Sequence, residues 1–420
     1  MAHTEAGNPG VGPEAGEPAA FAVGVATYNQ AQTVGALLQA VEGGLAAALP
    51  GRPVVVIHAD GGSQDGTLER AREASTGLLI QVSFALDQLA RPGTGLVRPA
   101  ALRAILGEAG KLGTGCAVLD AEAGSLPSGW IERLARPVLA DQMDFVAPCY
   151  LRHPLDGTIT SGIAFPLQRA LYGKGLRFPL ATDFACSGRF ISALLEAGEW
   201  PAELSRVGSE AWLVTRAVTG DFRICQALLG AKDTTGAEGG SDLGLVLPRI
   251  LGALFLEMER HVAAWQKVRG AAPVPVCGGG ALPSGEPKPV GVDVKRALDS
   301  YRLGQRNLLE VWRLVLSPAA LLELAKLAQR TDQEFRFPDT LWARTVYDFA
   351  LAHHFRVMNR DHLLAAFVPL YLGWLGSFAG ELGDADPART EPRIEELCLR
   401  YESEKPYLIS RWRWPDRFNP

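Results

Sequence analysis

The chain has 420 residues, enough at roughly 150 per domain for two or three domains and a large buried core. Apolar residues make up 47% and charged residues 21%, an ordinary globular composition that excludes a disordered or fibrous protein. With 41 Lys and Arg against 46 Asp and Glu the net charge is −5, and no segment carries the basic surplus that a dedicated nucleic-acid binder needs.

Residues 1–19 are mostly Gly, Pro, Ala and Glu, without a basic or long apolar stretch, and read as a flexible tail rather than a signal peptide. From Phe21 to about Gln226, short apolar runs suited to strands alternate with helical patterns. The runs are Phe21–Ala26, Val54–His58, Leu79–Ala85, Cys116–Leu119, Phe145–Tyr150 and Phe222–Leu229. Helices are expected over Val34–Ala48, Thr67–Ala74, Pro99–Glu108 and Gly129–Ala140. Near-continuous apolar strands alternating with helices predict an α/β fold with a mostly parallel, doubly wound sheet. Such sheets bind ligands beyond the C-terminal ends of their strands, so the residues just after each strand are the place to look.

Ser241–Asp242 is a candidate cap for a helix over Leu243–Val268, and Gly270–Val290, rich in Gly and Pro, reads as a surface loop or linker. Five further helices are expected over Val292–Leu316, Ala319–Gln329, Pro338–His354, Asp361–Gly380 and Glu391–Glu404. The expected organisation is an α/β ligand-binding domain over 20–269, a linker over 270–290 and a helical C-terminal domain over 291–420. Leu363–Gly380 holds 18 residues without a formal charge, the threshold length for a membrane span. Pro369, Gly373 and Gly376 interrupt it, and its flanks Asp361 and Glu381 show no positive bias, so a buried helix is expected rather than membrane contact. The six cysteines (Cys116, Cys149, Cys186, Cys225, Cys277, Cys398) are scattered with no C-x-x-C pair. Reduced thiols and a cytoplasmic setting are therefore expected, without a structural zinc.

The chemistry-bearing residues lie at strand ends. The first strand ends in Thr27-Tyr28-Asn29 and the second in Asp60-Gly61-Gly62-Ser63-Gln64-Asp65-Gly66-Thr67. A carboxylate there can accept from a base N–H or a ribose hydroxyl, and the Gly pair lets backbone approach a ligand; a plain βα turn would be served equally well. Asp120-Ala121-Glu122 places two carboxylates one residue apart after the strand Cys116–Leu119, where both can address a hard divalent cation. Arg91-Pro92-Gly93-Thr94-Gly95 is a glycine loop ahead of a helix, suited to offering N–H groups to an anion.

A strand ending T-Y-N, one ending D-G-G-S-x-D-G-T and one ending D-x-E, in that order, resemble the nucleotide-sugar domain of family 2-type glycosyltransferases, the GT-A fold. Arg152-His153-Pro154-Leu155-Asp156-Gly157-Thr158-Ile159-Thr160 narrows the likeness to mannosylglycerate and glucosylglycerate synthases, whose Arg, Asp and Thr at this spacing hold D-glycerate. Ala181-Thr182-Asp183-Phe184 and Gly208-Ser209-Glu210 follow in family order, and the likeness extends to Glu404–Ile409. It implies a retaining transferase that moves glucose or mannose from a nucleoside diphosphate sugar to D-glycerate or a similar small hydroxy acid. Thr27, Asn29, Asp60, Gly93 and Thr94 would bind the donor, Arg152, Asp156 and Thr160 the acceptor, and Asp120 and Glu122 a Mg²⁺ or Mn²⁺ ion. Asp183 and Glu210 would shape the reacting centre. Thr94 stands where relatives carry Lys, Glu122 where they carry Asp, Ala181-Thr182 where they carry two glycines, and the metal-binding His near Lys232-Asp233 is absent. Two rivals share these motifs: a non-catalytic nucleotide-sugar-binding protein, and a transferase acting on a larger sugar or natural-product acceptor. Association into a homo-oligomer through the helical region is compatible with each.

Overall fold

A computed structural model describes residues 5–6, 21–84, 98–119, 126, 129–196, 200, 209–232, 243–278, 286–383 and 387–414. The chain divides into two compact units that interleave in sequence, 1–151 with 180–235 and 274–285 in the first, 152–179 with 236–273 and 286–420 in the second. The sequence boundaries at 269 and 290 follow composition, whereas the units follow packing, so the second unit takes 152–179 from the middle of the expected α/β domain.

The first unit is built on a nine-stranded sheet in the order β1-β4-β3-β2-β5-β7-β6-β8-β9. Its strands are β1 (Glu5–Ala6), β2 (Phe21–Thr27), β3 (Val54–Asp60), β4 (Leu78–Ser83), β5 (Gly115–Leu119), β6 (Phe145–Leu151), β7 (Phe184–Cys186), β8 (Ile224–Ala231) and β9 (Val276–Cys277). β2, β3, β4 and β5 run parallel, as do β6, β8 and β9; β1 and the short β7 are antiparallel to their neighbours. The helices are α1 (Val34–Ala48), α2 (Thr67–Ala74), α3 (Arg98–Leu112), α4 (Trp130–Leu139), α6 (Gly188–Glu196) and α7 (Glu210–Thr219). α3 lies close on β2 because Gly24 has no side chain: a Cβ there would meet Ile105 Cγ2 at 2.2 Å. The strands expected from apolar runs are all present. β7 and β9 were not expected, because strands of two or three residues carry no periodicity. β9 lies inside the expected linker and is recruited by backbone pairing with β8, with Gln226 N–H donating to Pro275 O at 2.9 Å.

The second unit is helical: a π-helical turn (Thr160–Ala164) running into α5 (Phe165–Tyr172), then α8 (Leu243–Arg260), α9 (Val262–Trp265), α10 (Val294–Asn307), α11 (Leu309–Val315), α12 (Pro318–Ala328), α13 (Asp339–Phe355), α14 (Arg360–Leu382) and α15 (Pro387–Arg413). Two expected helices are each broken in two, at His261 and at Leu308, whose φ values of −112° and −111° leave the helical range. Neither break carries Gly or Pro, so nothing local announced it. α14 is long and apolar enough to cross a membrane by length and composition, yet 72% of its most apolar stretch is buried inside the protein. Its small residues explain why: a Cβ on Gly373 or Gly376 would come within 2.6 Å of Tyr301 or 2.8 Å of Leu298, both on α10. Backbone-to-side-chain approach of this kind packs two helices tightly, and Trp312 Nε1 adds a 3.0 Å bond to Ala366 O.

Candidate functional site

The ends of β2 and β3 are knitted into one hydrogen-bonded structure at the C-terminal edge of the sheet. Asp60 closes β3 with its side chain fully buried. Its Oδ2 accepts from the amides of Gly62 and Ser63, both at 2.7 Å, and its Oδ1 from Ser63 Oγ at 2.6 Å and Thr27 Oγ1 at 3.4 Å. Gly62, at φ +85°, supplies the left-handed residue that turns the chain back over the carboxylate. Ser63 Oγ accepts in turn from the Asn29 amide at 2.8 Å, and Asn29 Oδ1 accepts from the Gln64 amide at 3.0 Å. Asp65 takes the Ala31 amide at 3.0 Å and the Thr67 amide at 3.1 Å; these bonds and the Thr67 hydroxyl hold its carboxyl below the usual range. Thr27, Asn29 and Asp60 are thus brought together, with Asp60 organising the turn and Asn29 exposed on its surface.

Beneath this turn lies His58, buried on β3 and unremarked in the sequence except as a strand residue. Arg72 Nε donates to Gln81 Oε1 at 2.5 Å, which leaves Gln81 Nε2 as the donor toward Leu68 O and His58 Nδ1, both at 3.2 Å. His58 Nδ1 must accept, so the network assigns the proton to Nε2, which donates to Thr27 Oγ1 at 2.7 Å. The imidazole is held neutral: burial pushes its pKa down to about 4 despite the opposing charge of Asp60. The relay Gln81–His58–Thr27–Asp60 fixes the hydroxyl and carboxylate at the strand ends.

Asp183 occupies the same edge. It precedes Phe184 of β7, which pairs with Val118 of β5, so Asp183 is level with the last described residue of β5, Leu119. The carboxylate pair Asp120 and Glu122 follows directly but lies outside the described residues, as do Arg91, Gly93 and Thr94; Arg98 opens α3, with its side chain outside them. Asp183 is buried and receives Tyr150 Oη on Oδ2 at 2.5 Å, while Lys232 Nζ bonds the same oxygen. The Lys232 ammonium lies 5.3 Å from the Tyr150 ring centre and 5.8 Å from that of Trp130. A buried ion pair is costly to desolvate and is weak evidence for stability; at the ligand-binding edge of an α/β sheet it is a candidate functional group. The sequence analysis singled out Asp183 but neither Tyr150 nor Lys232. The available signal was a charged residue immediately after the apolar run of β8. Glu210 is the first residue of α7, where the helix dipole favours a carboxylate.

Arg152, Asp156 and Thr160 belong to the second unit. Arg152 stacks its guanidinium 5.3 Å from the Phe178 ring centre, Asp156 is buried with its amide donating to His153 O at 2.8 Å, and Thr160 is buried at the start of the π-turn. Thr158, between them, exchanges a 2.6 Å hydrogen bond with Tyr371 Oη of α14. Among the described residues no three His, Cys, Asp or Glu side chains gather to hold a metal. Two adjacent hard-oxygen carboxylates after β5 suit Mg²⁺ or Mn²⁺ by donor chemistry.

No family model matches the chain, and no curated protein matches it. Among solved structures it is similar to glucosyl-3-phosphoglycerate synthase from Mycobacterium tuberculosis in complex with phosphoglyceric acid, at 19% identity over 57% of this chain and 81% of that one, with a TM-score of 0.35. It is also similar to mannosyl-3-phosphoglycerate synthase from Rubrobacter xylanophilus, at 19% identity over 60% of this chain and 77% of that one, with a TM-score of 0.39. Likeness at this depth assigns no substrate.

Proposed function

We propose that the protein is a glycosyltransferase of the GT-A type that moves a hexose, glucose or mannose, from a nucleoside diphosphate sugar to a hydroxy acid with retention of configuration. The observation that supports this most is the hydrogen-bonded double turn joining Thr27 and Asn29 to Asp60 and Ser63, beside the strand that leads into Asp120 and Glu122. Asn29 and the turn amides would face the nucleotide, with Asp60 holding the turn in shape from below. Gly93 and Thr94 would face the diphosphate. A divalent cation held by Asp120 and Glu122 would supply charge neutralisation at the diphosphate. Asp183 and Glu210 would orient the transferred sugar, with Lys232 and Tyr150 holding the Asp183 carboxylate. Arg152 would grip the acceptor carboxylate with its two-point fork, while Asp156 and Thr160 orient the hydroxyl.

In the reaction the acceptor oxygen bonds to the anomeric carbon as the bond to the diphosphate breaks on the same face, and the hydroxyl proton passes to the departing phosphate oxygen. The protein's contribution is positioning and charge stabilisation. The test incubates protein and Mg²⁺ with uridine or guanosine diphosphate hexoses and either glycerate or 3-phosphoglycerate, and follows nucleoside diphosphate release and the glycosylated acid. Acceptor-dependent release is expected. Donor binding without release under any acceptor would leave a nucleotide-sugar-binding protein and refute the transferase.

A further inference from the structure

We propose that the acceptor is an amphipathic 2-hydroxy acid whose apolar tail lies in a groove of the second unit beginning at the 152–160 segment. This deepens the transferase reading and rests on it. The groove encloses about 470 Å³ and lies wholly within the second unit. At one side it is walled by Leu155 and Thr158, the residues interleaved with Asp156 and Thr160 in the acceptor segment. Its length is lined by Leu243 at the start of α8, Val292 ahead of α10, and Val368 and Leu372 on α14. These four are half-buried with nothing polar between them, in the interior of a unit that otherwise covers its α14 side chains. Arg296, Asp293 and Ser300 sit at the polar end.

Size decides against a three-carbon acid as the whole ligand. At roughly 30 Å³ for each water it would otherwise hold, the groove has room for about 16 molecules, well beyond the seven heavy atoms of glycerate. The volume lies within the roughly 300–1,000 Å³ of small-molecule sites, which are mostly apolar with a few placed polar groups. Thr158 is engaged with Tyr371, so the groove wall presents its methyl rather than a competing hydroxyl. The chemistry that fits is therefore one polar head, with the hydroxyl and carboxylate at Arg152, Asp156 and Thr160, continued by a flexible apolar chain of about eight carbons along Leu155, Val368 and Leu372.

The experiment compares matched heads: lactate, glycerate and 2-hydroxydecanoate, each titrated calorimetrically into the full chain and then offered with the donor. 2-Hydroxydecanoate is expected to bind at least tenfold more tightly than lactate and to be glycosylated at its hydroxyl. Val368→Trp, which fills the groove, and Leu372→Gln, which makes it polar, should each remove most of that advantage while leaving lactate binding within twofold; thermal unfolding verifies that each variant is folded. Equal affinity for the three acids, or an advantage untouched by either folded variant, overturns the groove assignment and leaves the transferase standing. Groove-dependent binding of 2-hydroxydecanoate with no transfer to any acid and no nucleotide binding refutes the transferase reading and the acceptor assignment with it.

Discussion

Acidification should weaken the first unit through His58, before any carboxylate is protonated. The imidazole is buried and neutral, with Nδ1 committed as an acceptor from Gln81 and Nε2–H as a donor to Thr27. Its pKa is pushed from 6.5 to about 4 on folding, chiefly by burial. The sign follows from proton counting: between those values the unfolded chain binds the extra proton and the folded one does not, so stability is full above pH 6.5 and falls as pH drops toward 4. At about 1.4 kcal/mol for each pH unit, the loss approaches roughly 3 kcal/mol. The effect reaches the candidate site because His58 holds Thr27, and Thr27 holds Asp60. Two measurements check it. Imidazole NMR should show the Nε2–H tautomer with an apparent pKa below 5. Urea unfolding of the wild type and of His58→Leu between pH 7 and 4.5 should show a difference that shrinks with acid, since the variant loses about 1–2 kcal/mol of hydrogen bonding at pH 7 but carries no titrating group. Titration of His58 near 6.5, or a Nδ1–H tautomer, would refute the assigned network.

Asp60→Ala should cost donor affinity roughly 1–3 kcal/mol by releasing the Gly62 and Ser63 amides and opening the turn; unchanged calorimetric affinity in a folded variant removes Asp60 from the site. Asp348 on α13 is raised to about 6 by burial, so its contribution to stability is present below pH 3.8 and is lost as pH rises through 6; Asp348→Asn should gain up to roughly 3 kcal/mol at pH 7 and no advantage at pH 4, read from paired unfolding curves. Lys405 Nζ donates to the carbonyls of Ala170, Leu171 and Val268 at 2.7, 3.1 and 3.0 Å, so Lys405→Met should cost about 2–4 kcal/mol, visible as a lower thermal midpoint; an unchanged midpoint contradicts it.

Much of this protein is written locally. Apolar runs such as Phe21–Thr27 and Val54–Asp60 are strands in any context, because alternation with amphipathic helices leaves them no other way to bury both faces. The turn after Asp60 was legible for the same reason: a short carboxylate two and three residues before free amides, followed by a glycine, closes on itself. Tertiary structure alone decided the rest. It divided the chain at 151/152 rather than at the Gly/Pro-rich linker, because a unit is defined by what packs, and 152–179 packs with the helices. It turned the uncharged α14 inward, where Gly373 and Gly376 receive side chains of α10. It set Lys232 and Tyr150 on Asp183, three residues from β8, β6 and the approach to β7. Sequence spacing could not bring them together, since strand order in a sheet is chosen by the packing of whole strands and helices, and side chains far apart along the chain meet only once that order exists.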